Sequence, residues 1–172
     1  MVPSIGITGH AGLSDASEDL VFASVTEALR GYGTPLHGVT CLAQGADRIF
    51  ARAVLALGGT IEVILPAEDY RRRVVARDGV SESDGVNERD GVNEFDELIG
   101  RAVAVHTMPF ASSGREAYVA ASEDMLDRCD LLLAVWDGIP SRQPGDTAHV
   151  VATARRRRIP VRVLWPAGAD RR

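Results

Sequence analysis

Three short loops of the sequence combine small residues with hydroxyl or carboxylate groups, and each follows an apolar run. They are Thr8-Gly9-His10, Gln44-Gly45-Ala46-Asp47, and Asp137-Gly138 together with the later Pro144-Gly145-Asp146-Thr147. Nucleotide binding uses this mixture, because backbone N–H groups hold phosphate, a carboxylate holds ribose hydroxyls and a flat apolar group covers the base. The candidate ligand-binding residues are Thr8, Gly9, His10, Gly45, Ala46, Asp47, Arg48, Trp136, Asp137, Gly138, Gly145, Asp146 and Thr147.

The stretch around Gly45 has the pattern of a strand, a tight turn and a helix N-terminus. Residues 39–43 are apolar or β-branched, and apolar positions return with helical spacing after Ala46. A helix N-terminus offers unpaired N–H groups and the positive end of the helix dipole. We therefore interpret Gly45 to Arg48 as a phosphate-facing turn, and expect Gly45→Val to abolish nucleotide binding in a folded protein. The alternative is an ordinary strand-to-helix turn in which Asp47 is only an acid early in the helix. Trp136 likewise has an alternative role, as a core aromatic residue that does not cover a base.

Strands and helices alternate along the whole chain. Strands are predicted at about residues 2–8, 39–43, 60–65, 102–106, 130–136 and 161–165, with a helix after each of the first five and a further one near residues 67–77. This alternation predicts the α/β class: a single Rossmann-like domain over residues 1–172, with a doubly wound, mainly parallel sheet and helices on both faces. Ligands of such sheets bind beyond the carboxyl ends of the strands, so the three loops should converge. The tail from Ala167 is expected to fray.

A six-residue repeat interrupts the alternation. Its copies are Asp78-Gly-Val-Ser-Glu-Ser, Asp84-Gly-Val-Asn-Glu-Arg and Asp90-Gly-Val-Asn-Glu-Phe. Three copies are too few for a solenoid, and regular glycine with little apolar content disfavours helix and strand. The acids do not follow EF-hand spacing, which leaves weak, fortuitous metal binding as a minor alternative. We predict a flexible acidic surface insertion at about residues 78–92, with a helix resuming near Asn93.

Composition excludes several classes of function. All 19 basic residues are arginine, so a Schiff-base lysine and a P-loop lysine are both absent. Cys41 and Cys129 lie beside apolar runs and are interpreted as reduced core thiols; neither has zinc-ligand spacing, and no metal or cofactor is predicted. No apolar run reaches the roughly 20 residues of a membrane span, and no signal-peptide pattern opens the chain, so a cytoplasmic location is expected.

The combination of motifs resembles the SLOG superfamily. The resemblance rests on Thr8-Gly9-His10, Gly45-Ala46-Asp47, the stretch from Asp130 to Gly138, and the Pro-Gly-x-Thr pattern at residues 144–147. The superfamily includes the DNA-processing DprA proteins, the LOG phosphoribohydrolases and small stand-alone members, which this chain matches best. The resemblance implies a Rossmann-like fold, a nucleotide-type small-molecule ligand and a homodimer.

The chain also departs from the LOG pattern, Pro-Gly-Gly-x-Gly-Thr-x-x-Glu. Asp146 stands where a glycine is common, and Val150 stands where the glutamate is expected. We therefore favour nucleotide binding as a sensor or carrier, and leave open whether the protein is an enzyme.

Two other functions compete with nucleotide binding. The first is an N-glycoside hydrolase or transferase, for which the candidate carboxylates are Asp47, Glu123, Asp124 and Asp137. The second is DNA binding by analogy with DprA. The net charge of -5, the eight acids among residues 78–97 and the missing lysines make nucleic acid an unlikely partner on charge grounds.

Overall fold

The computed structural model describes residues 2–78, 88–140 and 145–171. The strands are β1 (Ser4–Gly9), β2 (His37–Thr40), β3 (Thr60–Leu65), β4 (Ala104–Thr107), β5 (Leu131–Val135) and β6 (Val161–Leu164). The helices are α1 (Asp15–Arg30), α2 (Ala46–Ala56), α3 (Tyr70–Asp78), α4 (Glu88–Arg101), α5 (Arg115–Arg128) and α6 (Thr147–Arg156).

The strands form one parallel sheet in the order β4-β3-β2-β1-β5-β6. From β1 the chain adds strands on one side as far as β4, and then crosses to the other side of β1 to form β5. The switch point therefore lies between β1 and β5, where the helices diverge and leave a crevice. This arrangement confirms the predicted single Rossmann-like α/β sheet.

Helices cover both faces of the sheet. On one face, a core cluster joins α1, α2 and the aromatic residues Tyr70 and Phe95 of α3 and α4. On the other face, a second cluster joins α5 and α6 to the sheet through residues such as Met125 and Leu132. Residues 132–135 of β5 are fully buried, as expected for an unbroken apolar strand that is covered on both sides.

Several element boundaries differ from the sequence prediction, notably those of β2 and α4. Strand β2 ends at Thr40 because Leu42 turns out of the extended conformation, with φ at 53° and its N–H bonded to the Thr40 hydroxyl at 3.0 Å. Helix α4 begins at Glu88, so the third copy of the repeat is helical. Its Phe95 is buried, and Leu98 lies one turn further along. The predicted flexibility of the repeat otherwise concerns residues 79–87, which lie outside the described residues.

The predicted fraying of the tail was wrong, because the tail is held against the start of α1. The Asp170 carboxylate accepts hydrogen bonds from the Ser14 and Ser17 hydroxyls at 2.5 and 2.7 Å. Arg171 forms an antiparallel bridge with Leu13. Hydrogen bonds between side chains more than 150 positions apart in the sequence leave no pattern in the local sequence, so the sequence could not predict them.

Candidate functional site

An inner chamber of about 110 Å³ opens at the carboxyl ends of the central strands. Five of the predicted residues line it: Thr8, Gly9, Asp47, Gly145 and Thr147. They come from the end of β1, the start of α2 and the start of α6, as the convergence of the three loops required. The polar groups that face this chamber are therefore hydroxyls, a carboxyl and the backbone of the α6 N-terminus.

An outer chamber of about 60 Å³ adjoins the inner one. The two share Ala43, Tyr70 and Tyr118 in their linings, and the tyrosine rings lie edge to face with centroids 6.2 Å apart. Arg48 and Arg73 also line the outer chamber. Together the chambers form a crevice whose inner part is lined by apolar groups, hydroxyls and the carboxyl of Asp47, and whose outer part is lined by two arginines.

Asp47 is the buried carboxyl of the inner chamber. It accepts hydrogen bonds from the N–H groups of Ala43, at 3.3 Å, and Cys41, and from the Thr40 hydroxyl. Burial raises its pKa to about 7, although these hydrogen bonds and Arg48 oppose the shift. Asp47 is thus both the support of the loop after β2 and a group that changes protonation near neutral pH.

Arg48 supports the same loop from the other side. It is 3% exposed, its Nε donates to the Leu42 carbonyl at 3.4 Å, and its guanidinium lies over the Phe95 ring. Glu94 of α4 approaches it at 3.7 Å. Leu42 holds a left-handed backbone conformation that costs a non-glycine residue about 1–2 kcal/mol. Asp47 and Arg48 therefore clamp a strained loop at the mouth of the crevice.

Gly45 and Ala46 are packed tightly against the loop after β1. The Ala46 N–H donates to the His10 carbonyl at 3.3 Å. A Cβ at Gly45, where φ is 83°, would lie 2.6 Å from the His10 carbonyl oxygen and 2.7 Å from that of Ala11. We therefore expect Gly45→Val to disturb backbone packing and to destabilise the fold, and not to act on ligand binding alone.

Position 9 also requires glycine, because neighbouring segments pack too closely to leave room for a side chain. A Cβ at this position would lie 2.4 Å from the Ala46 Cβ and 2.9 Å from the Val135 carbonyl oxygen. The end of β1 thus touches both the first turn of α2 and the end of β5. This contact explains why the three loops meet at one place.

His10 and Asp137 form a separate cluster with the tail. His10 Nε2 lies 3.2 Å from Asp137 Oδ1, Arg171 Nε lies 3.4 Å from Asp137 Oδ2, and Trp165 packs against the imidazole. Burial lowers the pKa of His10, against the opposing effect of Asp137. Burial would raise the pKa of Asp137, but the Ile139 N–H, His10 and Arg171 outweigh it and lower that pKa. Neither side chain lines either chamber.

The other predicted residues have local roles. Trp136 donates its indole N–H to the Ile139 carbonyl at 3.0 Å, closing a turn that contains the exposed Gly138. Asp146 caps α6 by accepting the His149 N–H at 2.9 Å; its other carboxylate oxygen is buried and has no partner among the described residues. Trp136 does not line either chamber, so it is not placed to cover a base there.

Sequence reasoning missed Tyr70, Tyr118 and Arg73. Each lies in the first turn of a helix that follows a strand of the sheet, α3 after β3 and α5 after β4. First turns after strand ends face the carboxyl edge of a parallel sheet, so their position alone was a usable signal. That position predicts Tyr70 and Tyr118, and not Trp136, as the aromatic residues of the site.

A groove of about 440 Å³ lies between α1, α2 and α4, on the other side of the Gln44-Gly45 turn. It is lined by Arg48, Arg52 and Arg101 together with Glu18, Glu94 and Glu97. Glu94 bridges two of these arginines, at 3.7 Å from Arg48 and 3.2 Å from Arg52. The groove is thus a charge-balanced contact between helices; it is larger than the crevice and shares Gln44 and Arg48 with the outer chamber.

Solved structures of other proteins share the fold of this chain. DprA from Helicobacter pylori aligns with a TM-score of 0.65 and 12% identity, over 99% of this chain and 69% of that one. DprA from Streptococcus pneumoniae aligns with a TM-score of 0.62 and 16% identity, over 96% and 51%. The chain has the SLOG-type Rossmann-like fold. It spans about half the length of the Streptococcus protein.

A third solved structure shares this SLOG-type fold. The molybdenum cofactor carrier protein from Chlamydomonas reinhardtii aligns with a TM-score of 0.53 and 16% identity, over 95% of this chain and 76% of that one. No family model and no curated protein matches the chain. At these identities the likeness establishes the fold alone.

The expectation that nucleic acid is an unlikely partner was wrong. The Helicobacter DprA, which has this fold, binds single-stranded DNA. The error came from using net charge and the absence of lysine, which describe the whole surface. A single strand can instead bind through a few arginines, backbone N–H groups and stacking on aromatic rings in one crevice.

Two further findings concern the described residues. None of their helices is long and apolar enough to cross a membrane. In the same residues, no group of three or more His, Cys, Asp and Glu side chains is arranged to hold a metal ion.

Proposed function

We propose that the protein binds a nucleotide or a nucleotide-derived ligand in the crevice at the switch point of the sheet, as a sensor or carrier. The observation that carries the proposal is the convergence of Thr8, Asp47 and Thr147 on one chamber that Tyr70 and Tyr118 also line. Hydroxyls and a carboxyl suit ribose hydroxyls, and tyrosine rings suit the face of a base. The fold is shared with a cofactor carrier and with a DNA-binding protein.

Mass spectrometry of small molecules released from the purified protein would identify the ligand class directly. Calorimetry with AMP then tests the crevice. We expect Thr147→Val to weaken AMP binding about five- to tenfold, because one hydrogen bond contributes roughly 1 kcal/mol. The Thr147 hydroxyl has no hydrogen-bond partner among the described residues, so the valine should be tolerated in the fold.

Thr153→Val is the control. Thr153 lies on the same helix and is similarly buried, but lines neither chamber. Its hydroxyl accepts a hydrogen bond from Arg156 at 2.9 Å, so circular dichroism should first show that this variant is folded. Equal affinities of the two variants for AMP would show that AMP makes no hydrogen bond with the Thr147 hydroxyl, which counts against the proposed site. The homodimer and the cytoplasmic location remain predictions; light scattering after gel filtration checks the first.

An N-glycoside hydrolase remains the second candidate because of Asp47. A carboxyl with a pKa near 7 can hold a proton at neutral pH and donate it to a departing base. Glu123 and Asp124 pair with Arg157 and Arg128 and line neither chamber. Asp137 lies in the tail cluster, so Asp47 is the one candidate of the four that faces the described crevice.

We nevertheless expect AMP to remain intact in the presence of the protein. Glycoside hydrolysis usually employs two carboxyl groups, and the described lining of the two chambers supplies one. Chromatography after incubation with AMP measures any free adenine. Adenine release that disappears in Asp47→Asn would overturn the binding proposal in favour of the hydrolase.

A further inference from the structure

The three arginines at residues 71–73 occupy three different environments. Arg71 forms a bidentate ion pair with Asp96, at 2.6 and 2.8 Å, and so joins α3 to α4. Arg72 is exposed and forms no ion pair or hydrogen bond with the described residues. Arg73 lines the outer chamber. A run that looks uniform in the sequence therefore contains one residue at the crevice.

Arg73 is held in place by a buried carboxylate. Asp69 Oδ1 accepts the N–H and the hydroxyl of Ser113, both at 2.6 Å, while its Oδ2 accepts Arg73 Nε at 3.1 Å. Asp69 is 8% exposed, whereas the Arg73 side chain is about half exposed. The Nη groups of Arg73 have no partner among the described residues. They remain able to donate two hydrogen bonds to an anion.

The inner chamber offers poor conditions for a phosphate. The Ala46 N–H at the start of α2 already donates to a carbonyl, and the carboxyl of Asp47 follows it. The start of α6 carries the carboxylate of Asp146 as its cap. A negative charge at either helix N-terminus would thus lie near a carboxyl group. The only arginines among the described residues that line the two chambers are Arg48 and Arg73, and both line the outer chamber.

We propose that the ligand carries a phosphate ester that Arg73 binds in the outer chamber, while its nucleoside part extends past Tyr70 and Tyr118 into the inner chamber. This inference rests on the proposed function. Arg48 lines the same chamber, but its side chain already contacts Leu42, Glu94 and Phe95, so it contributes positive charge from a fixed position. Arg73 supplies the hydrogen-bond donors to the phosphate.

The sizes of the chambers agree with this orientation. Pockets for ligands of this size usually measure about 300–1,000 Å³, several times the roughly 110 Å³ of the inner chamber. The inner chamber therefore holds part of a nucleotide, such as the sugar or a base ring. The remainder has to lie in the outer chamber and beyond it, where Arg73 is half exposed.

Calorimetry with AMP and with adenosine separates phosphate recognition from nucleoside recognition. We expect Arg73→Ala to weaken AMP binding at least tenfold, because hydrogen bonds to charged groups contribute about 1.5–3 kcal/mol. Adenosine binding should change less than twofold. Arg72→Ala, the neighbouring exposed arginine, should change neither affinity. The phosphate contact is established if Arg73→Ala loses affinity for AMP but not for adenosine, and Arg72→Ala loses affinity for neither.

A short single-stranded oligothymidylate identifies the source of the phosphate. Weaker oligonucleotide binding by Arg73→Ala, with no AMP binding by the natural protein, assigns the phosphate to a nucleic acid strand. Equal losses for AMP and adenosine in Arg73→Ala, or no loss at all, overturn the inference and leave the proposed function standing. If the natural protein binds none of the three probes, the proposed function and the inference both fail.

Discussion

Replacing Gly45 by alanine is expected to lower the melting temperature by roughly 10 °C. A positive φ without glycine costs on the order of 1–3 kcal/mol, and forcing a methyl group into packed backbone adds a similar amount. For a domain of this size, 1 kcal/mol corresponds to about 2–4 °C. The methyl group would meet the carbonyl oxygens of His10 and Ala11, which belong to the backbone and cannot turn aside.

Gly58→Ala is the control for this prediction. Gly58 also has a positive φ, at 77°, but a Cβ there has no neighbour within 4 Å. Thermal unfolding followed by circular dichroism should therefore show a smaller decrease in melting temperature for Gly58→Ala than for Gly45→Ala. Equal decreases would mean that the loop after β1 gives way to the methyl group, and that the two loops are less tightly coupled than the structure indicates.

Gly45 also shows how far the sequence could predict the site. The alternation of apolar strands and helices predicted each element of the sheet, because burial on both faces leaves a periodic pattern in the local sequence. The same pattern located the turn at Gly45. It could not reveal that the loop after β1 lies against that turn, since this contact joins segments about 35 residues apart. The sequence predicts a glycine that lets a phosphate approach, and the structure adds that Gly45 also makes room for the backbone of His10 and Ala11.

The side chains of the crevice illustrate the same limit. Thr8, Gly9, Gly145 and Thr147 were found because residues directly after strands must lie at the carboxyl edge. His10 and Asp137 occupy the same edge, yet they face the tail and pair with Arg171. Which way a side chain points from a loop depends on the packing of its neighbours. Strand order can be inferred from periodicity, but side-chain direction in a loop cannot.

Asp47 is expected to make the stability of the protein depend on pH between about 4 and 7. Its pKa in the folded protein is raised from 3.8 to about 7, because burial disfavours the charged carboxylate. The folded state therefore holds a proton that the unfolded state releases, and the free energy of unfolding falls as pH rises through this range. At about 1.4 kcal/mol per pKa unit, the contribution lost from this group is roughly 4 kcal/mol.

Asp47→Asn should remove most of this decrease, since the amide does not titrate. Urea unfolding at pH 4.5, 5.5, 6.5 and 7.5 measures the free energy of unfolding for both proteins, and the slope against pH is the quantity to compare. The amide loses part of the hydrogen bonding to Cys41 and Thr40, so a lower stability at every pH is expected and does not affect the slope.

Asp96→Asn is the control, because the lowered pKa of Asp96 keeps that carboxylate ionised throughout the same range and its partner Arg71 does not titrate there. Its slope should match that of the natural protein. If Asp47→Asn also retains the full slope, Asp47 is ionised at every pH tested. The inner chamber would then carry a permanent negative charge facing Thr8 and Thr147. In that case Asp47 could accept ribose hydroxyls but could not donate a proton to a leaving base, and the hydrolase candidate would lose the observation that favours it.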